Sequence, residues 1–353
     1  MLNFVLFFMY EQLLPILQQF KIIEDSQTIT PIEVGHINKT YRVTTRNGAY
    51  ILQKINTQIF QAPLEVMQNI NRVGQFLRQK KYPKKILLPI ATKKGLLCLE
   101  DVKNGHWRLF PFIENTTTFN EVDSPQKAYQ AAYAFGEYAY YLKDFDGEKL
   151  VETIPNFHDT LLRFGQFLGE ANRAGKARLA SARGEITDLT NYRYLLYTIH
   201  RVQLPQIFVH NYTKINNILF YKTTHLPVCV IDLDTLMSGT ILYDFGDMVR
   251  TFTPTQDENS ADFDQIFVRA AILRAVTKGY VEGWRGKLSK LEIELLPYGA
   301  QLTIFEQALR FLTDYLAGDI YYKVQYNNQN LVRAKNQIRL LDELTKMYAI
   351  DSR

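Results

Sequence analysis

Cysteine is scarce, with only Cys98 and Cys229 in 353 residues. Each lies within an apolar, strand-like run, a pattern that favours buried thiols over a disulfide framework or a cysteine metal cluster and fits a reducing cytoplasm. The phosphate-cradling pattern G-x-x-x-x-G-K-[ST] is absent, which argues against a P-loop enzyme. The formal charge of +5 is slight and spread along the chain. It provides no basic stripe of the kind a nucleic-acid partner requires. No apolar stretch is long enough to span a bilayer. The opening run MLNFVLFFMYEQLLPILQQF also lacks a basic leader and a small-residue cleavage site. It reads either as an extension upstream of a start at Met9 or as an apolar helix packed on the N-terminal part. The expectation is a cytoplasmic protein with no membrane and no nucleic-acid partner.

What the chain does have is aromatic bulk, 22 Tyr and 22 Phe, and enough length for two lobes, each with its own core. Its chemistry concentrates in VHNYTKINNILFYKTTHLPVCVIDLDT, Val209 to Thr235. ILFY and PVCVID are β-rich runs separated by a short polar turn and read as a hairpin. A hairpin returns the chain to its origin, so Asp232 arrives beside Asn217. An amide oxygen and a carboxylate on one spot are hard ligands suited to Mg²⁺ carried by a nucleotide. The first half of the stretch resembles the protein-kinase catalytic loop H-R-D-x-x-x-x-N, with His210 and Asn217 at the His and Asn positions and Tyr212 where the Asp stands. The later triplet Asp244-Phe245-Gly246 lies too far along the chain to close the same hairpin. Asp244 is read instead as a loop brace at the start of a helix.

Upstream, Leu13, Leu14, Leu17 and Phe20 suggest an amphipathic helix. IEVGHINKTYRVTT and GAYILQKI read as strands joined through Asn47-Gly48, a strong hairpin signal. Gly35 permits close backbone approach to a ligand. A helix with Leu64, Met67, Ile70, Val73 and Leu77 on one stripe follows, carrying Glu65. ILLPIAT, GLLCLED and HWRLFPFIE then supply three more strand-like runs. Five strands with one inserted helix is the make-up of a kinase N-terminal lobe. In such a lobe Gln53 or Lys54 meets phosphates, strand alternation allowing only one of them, and Phe110 to Glu114, with Phe112 at its centre, forms the adenine hinge. Beyond Asn115 the periodicity becomes helical. The expected fold is therefore α+β: a protein-kinase-like two-lobe fold with a five-stranded antiparallel N-lobe, residues 1–113, and a mainly helical C-lobe, residues 114–353.

The pieces GHINKTY, YILQKIN, IPNFHDT, TKINN, CVIDLDT, LYDFGDMVRT and RFLTDYLAGD occur in one order along nearly the whole chain. That order resembles the aminoglycoside phosphotransferase and choline kinase-like superfamily, and within it the N-acetylhexosamine 1-kinases. The resemblance implies transfer of the ATP γ-phosphoryl group to the anomeric hydroxyl of N-acetylglucosamine or N-acetylgalactosamine with Mg²⁺. It places the metal on Asn217 and Asp232 and an amino-sugar substrate on His36 and Arg310. Asp314 and Tyr321 are further candidates by nearness to Arg310.

Two positions depart from that pattern: Gln329 stands where a His is expected, and Tyr212 replaces the catalytic Asp. A phenol of reference pKa about 10 is a poor base at neutral pH. Losing a general base costs roughly 10²- to 10⁴-fold, and the larger ring intrudes on the acceptor pocket. Three readings follow: a nucleotide-binding pseudokinase, a slow kinase in which a carboxylate such as Asp234 substitutes, or a substituted active enzyme. An aminoglycoside or an amino alcohol is the alternative acceptor.

Overall fold

The computed structural model describes residues 11–21, 28–32, 37–146, 150–202 and 204–351. Gly35 and His36 lie outside them. The chain divides into two compact units that interleave in sequence. One takes the residues up to Thr118, Asp144–Pro155 and Ile218–Ser238; the other takes Phe119–Lys143, Asn156–Asn217 and everything from Gly239 onward.

The first unit contains an antiparallel five-stranded sheet, β1 (Thr28–Ile32), β2 (Lys39–Thr45), β3 (Gly48–Lys54), β4 (Leu99–Asp101) and β5 (Gly105–Pro111). Its spatial order is β1-β2-β3-β5-β4. The β2–β3 turn closes at Thr45 opposite Gly48, whose φ of 146° is readily adopted only by glycine. Between β3 and β4 the inserted helix α1 (Pro63–Gln79) starts on a proline and buries Val66, Met67, Ile70, Val73 and Leu77. Leu64, expected on that stripe, is exposed.

Strand alternation gives the sheet two different faces. Val43, Leu52, Trp107 and Leu109 pack against Leu13, Ile16, Leu17 and Phe20 from the segment around the helix at 11–17. Each such side chain contributes about 1.5–3 kcal/mol by leaving water. Gln53 and Arg108, paired across β3 and β5, belong to the opposite face.

The strand expected over ILLPIAT does not form. Pro89 has no N–H to donate, and that segment makes isolated contacts such as Ile90 N to Leu109 O. The fifth strand is β1, earlier in the chain. A smaller sheet joins Thr116–Thr117 to the hairpin Ile218–Tyr221 and Pro227–Val230, in which Ile218 pairs with Val230. Cys98 and Cys229 are both buried and unbridged. Burial pushes the Cys98 thiol up to about 11.

The second unit is helical: α2 (Pro125–Leu142), α3 (Thr160–Arg173), α4 (Ile241–Phe252), α5 (Ala270–Gly283), α6 (Lys290–Ala317) and α7 (Gln329–Asp351), with shorter helical turns between Lys176 and Arg201. Glycines let two helix pairs meet backbone to backbone. A Cβ on Gly283 of α5 would lie 2.6 Å from Tyr133 O of α2, and one on Gly246 of α4 would lie 2.6 Å from Gly299 O of α6. Helix α6 begins with a Ser289–Glu292 capping box and ends at Gly318 with φ 105°. Among the described residues no helix is long and apolar enough to cross a membrane.

Candidate functional site

In the helical unit, the strand Ile207–Val209 leads into the loop that carries Tyr212. That loop is held by Asp244 in the first turn of α4. One Asp244 carboxylate oxygen accepts the His210 N–H at 3.1 Å and the other the Asn211 N–H at 2.7 Å. The Asp244 carbonyl accepts the Thr213 hydroxyl at 2.7 Å. Asn211 takes φ 62°, which turns the chain sharply between those bonds. Burial pushes the Asp244 carboxyl up to about 7 against the two backbone donors, which favour its ionised form. The bracing role expected of Asp244 is thus realised in hydrogen bonds.

His210 is almost fully buried. It packs edge-on to Phe135 with ring centroids 5.4 Å apart. Tyr212 is half-buried, with Lys214 Nζ 5.2 Å from its ring centroid. The Tyr212 carbonyl accepts Asn217 Nδ2 at 2.8 Å. The amide nitrogen is therefore committed to the loop, and Oδ1 is the atom left to meet a cation.

On α6, Arg310 lies over two rings, 5.4 Å from the Phe157 centroid and 5.8 Å from that of Tyr322. Asp314 does not reach back to it. Its carboxylate accepts the N–H groups of Ile320, Tyr321 and Tyr322 at 2.8–3.0 Å and Asn330 Nδ2 at 2.9 Å. Asp314 thereby shapes the turn that carries Tyr321, which is 60% exposed. One turn before Arg310, Glu306 binds His158 Nδ1 at 2.8 Å and the Thr160 hydroxyl at 2.5 Å.

In the sheet unit, Asp232 adopts the left-handed conformation (φ 59°, ψ 55°) and begins the short turn Leu233–Thr235. A non-glycine residue in that region stays there only when its surroundings hold it. Two residues on, Asp234 pairs with Arg108, each only 2% exposed, through both guanidinium Nη atoms. Gln53 Oε1 accepts Arg108 Nε at 2.9 Å, Asn38 Nδ2 donates to Asp234 Oδ2 at 2.9 Å, and the Thr153 hydroxyl donates to the Asp234 carbonyl at 2.7 Å. Burial works against the Arg108 charge, but Asp234 and Asp232 together keep its pKa raised.

Of the pair Gln53 and Lys54, Gln53 is therefore the one on the Asp232 side. Lys54 falls on the other face by alternation and reaches over the Trp107 ring at 5.8 Å. No ion pair joins Lys54 to Glu65 among the described residues. The Phe112 N–H is spent on Ala49 O at 2.9 Å, and its ring lies 4.2 Å beneath the Arg42 guanidinium. Sequence reading overlooked Arg108, and it placed Asn38 only within a stretch, Gly35 to Asn38, that covers phosphates or a substrate. The signal for Arg108 was a lone cation inside the apolar strand HWRLFPF.

An antiparallel five-stranded sheet in one unit and a helical second unit are the make-up of a kinase-like fold. Residues 28–284 match the phosphotransferase enzyme family, APH, and the chain belongs to that family. Its fold is shared with an amicoumacin kinase, hAmiN, solved with AMP-PNP and Ca²⁺ (13% identity, TM-score 0.64, 93% of this chain and 92% of that one). It is shared likewise with a microcompartment-associated aminopropanol kinase (15%, 0.64, 96% and 97%). A third is the spectinomycin phosphotransferase APH(9)-Ia, solved with ADP and its antibiotic (13%, 0.60, 95% and 97%).

Proposed function

We propose that the chain is an ATP- and Mg²⁺-dependent small-molecule kinase whose acceptor is the anomeric hydroxyl of an N-acetylhexosamine. The observation that carries this reading is the preserved loop, in which Asn217 is pinned to the Tyr212 carbonyl and so offers its amide oxygen outward. Asn217 directly precedes the hairpin and Asp232 follows its second strand by two residues, with Ile218 paired to Val230. This supports assigning both side chains to one ion.

The donor set fits Mg²⁺, which takes hard oxygens from one or two protein groups and completes its shell with phosphates and water. When bound, the ion neutralises charge developing on the transferred phosphoryl group. The protein's own part is to hold and align. Arg108 and Asp234 fix the turn after Asp232, and Gln53, bonded at its oxygen to Arg108 and at its nitrogen to Thr40, steadies that frame beside the phosphates, which the resemblance assigns to Gly35. Phe110 to Glu114 line the base, Phe112 contributing ring surface, since its amide is already bonded. Lys214 places a positive charge beside Tyr212 for an anionic group.

For the acceptor, Arg310, Phe157, Tyr321 and Tyr322 supply one cation and aromatic faces, and His36 joins them by resemblance. An amino alcohol or an aminoglycoside is the alternative acceptor, supported by the substrates named for the structural relatives. Tyr212 favours a second reading, a nucleotide-binding protein that does not transfer phosphate.

Two measurements separate these. A thermal shift with millimolar Mg-ATP tests nucleotide binding, and its absence removes both readings. Phosphorus NMR of Mg-ATP with N-acetylglucosamine, N-acetylgalactosamine or 1-amino-2-propanol, on the parent and on Tyr212→Asp, tests transfer. A sugar phosphate formed by either protein upholds the sugar kinase. Product with the amino alcohol alone reassigns the acceptor. Binding with no product from either leaves the non-transferring reading.

A further inference from the structure

On α4, one turn beyond Asp244, Asp247 is a buried carboxylate with unequal oxygens. Oδ1 accepts both Arg250 Nε at 3.0 Å and Arg250 Nη2 at 2.8 Å. Oδ2 is buried and has no hydrogen-bond partner. The remaining arm of Arg250 is committed elsewhere, Nη1 lying 3.1 Å from Glu258 Oε2, so that cation does not turn to serve Oδ2. A buried charged acceptor without a donor costs more than the 1–3 kcal/mol of a neutral group, and a catalytic role is one of the few reasons a native fold keeps such an atom.

Its place along the loop indicates which partner. The loop advances beside α4: His210 and Asn211 bind the Asp244 carboxylate, and Thr213 binds the Asp244 carbonyl. Continuing in that direction, Lys214 lies within electrostatic reach of Glu258, Tyr212, Arg250 and Asp247. Arg250 in turn senses the Tyr212 phenol as well as Asp247 and Glu258. The Asp247 carboxylate thus shares two cationic neighbours, Lys214 and Arg250, with the residue that stands where a kinase keeps its carboxylate.

We propose that Asp247 supplies the acceptor-facing carboxylate that position 212 lacks, its Oδ2 receiving the hydrogen of the acceptor hydroxyl. This rests on the kinase reading above. In the step, the hydroxyl oxygen forms its bond to the γ-phosphorus and its proton passes to Asp247 Oδ2. The bond from that phosphorus to the β,γ-bridging oxygen breaks, and its electron pair leaves with ADP. The proton departs to solvent after product release.

The test uses the full chain with Mg-ATP and each of N-acetylglucosamine, N-acetylgalactosamine and 1-amino-2-propanol, following ADP release and the phosphorylated product. Asp247→Asn, which keeps shape and loses the proton acceptor, should lower kcat roughly 10²- to 10⁴-fold. The Mg-ATP thermal shift and the KM for ATP should stay within about twofold of the parent. Adding Tyr212→Asp to Asp247→Asn should restore turnover, because a carboxylate returns to the loop. The proposal is overturned if Asp247→Asn keeps the parent rate within about threefold. It is overturned also if the Mg-ATP shift is lost, or if the added Tyr212→Asp restores nothing while Tyr212→Asp alone is active; either gives Asp247 a structural role. A parent that transfers to none of the three acceptors, beside a Tyr212→Asp variant that does, removes this proposal and leaves the kinase reading standing. Failure of both proteins on all three removes the two together.

Discussion

Removing the carboxylate of Asp234 should unsettle the sheet unit more than any surface change, because it strands Arg108. Both side chains are 98% out of solvent, so the guanidinium has no water to turn to. It would keep Gln53 Oε1, a thioether contact from Met67, the Phe110 ring at 5.3 Å and the more distant charge of Asp232. Breaking a buried pair by deleting one partner costs about 3–5 kcal/mol. At about 2–4 °C per kcal/mol for a unit of this size, Asp234→Ala should lower the melting temperature by roughly 6–20 °C. Replacing both members, Arg108→Met with Asp234→Leu, removes the stranded charge and should recover most of that loss. The rescued double variant should nonetheless lose the stabilisation by Mg-ATP, since Asn38 and Gln53 no longer have the ion pair to grip and the turn at Asp232 is freed. The assay is differential scanning fluorimetry of the three variants with and without Mg-ATP. A drop of less than about 2 °C for Asp234→Ala would refute the reasoning, showing that Asp232 alone can compensate Arg108. A double variant that binds Mg-ATP like the parent would show that the frame does not govern the nucleotide site.

Three further outcomes follow from other contacts. Gly246→Ala should cost about 1–3 kcal/mol by overpacking, since its Cβ would press on Gly299 O and Thr303; urea denaturation measures it, and an unchanged midpoint contradicts backbone contact between α4 and α6. Asp244 binds its proton up to about pH 7 when folded but only to about pH 4 when unfolded. The native state therefore holds the extra proton, and stability from this group falls as pH rises from about 4 to about 7. Melting temperatures at pH 5 and pH 7 should converge in Asp244→Asn relative to the parent. Asp314→Ala leaves three backbone N–H groups of the 320–322 turn without their acceptor, so the KM for the acceptor should rise severalfold while that for ATP is kept. Equal changes in both would assign Asp314 to general stability.

Much of the sheet unit was legible because its signals are local. Asn47-Gly48 dictated the hairpin, and the 3.6-residue stripe dictated α1, although Leu64 turned outward. The error over Ile86 to Thr92 has an equally local cause: apolar composition resembles a strand, yet Pro89 cannot join a ladder. Asp244 was read as a brace from chain distance alone, and its bonds to His210 and Asn211 are that brace. Arg108 was missed because its value comes entirely from Asp234, which lies 126 positions away. Nearness to Arg310 places Asp314 one turn on along the same helix, but only the tertiary structure shows its carboxylate accepting the N–H groups of the returning chain.

By itself the order of residues determined the kinase-like class, the loop from His210 to Asn217 and the tyrosine at 212, because periodicity, turn chemistry and motif spacing are properties of neighbours along a chain. The tertiary structure alone decided that Gln53 rather than Lys54 joins Arg108, that Asp314 holds a turn, and that Asp247 keeps an oxygen unclaimed. Those outcomes depend on which distant groups share a buried space. Where water is excluded, each buried charge must find its partner among whatever side chains the fold has brought to it.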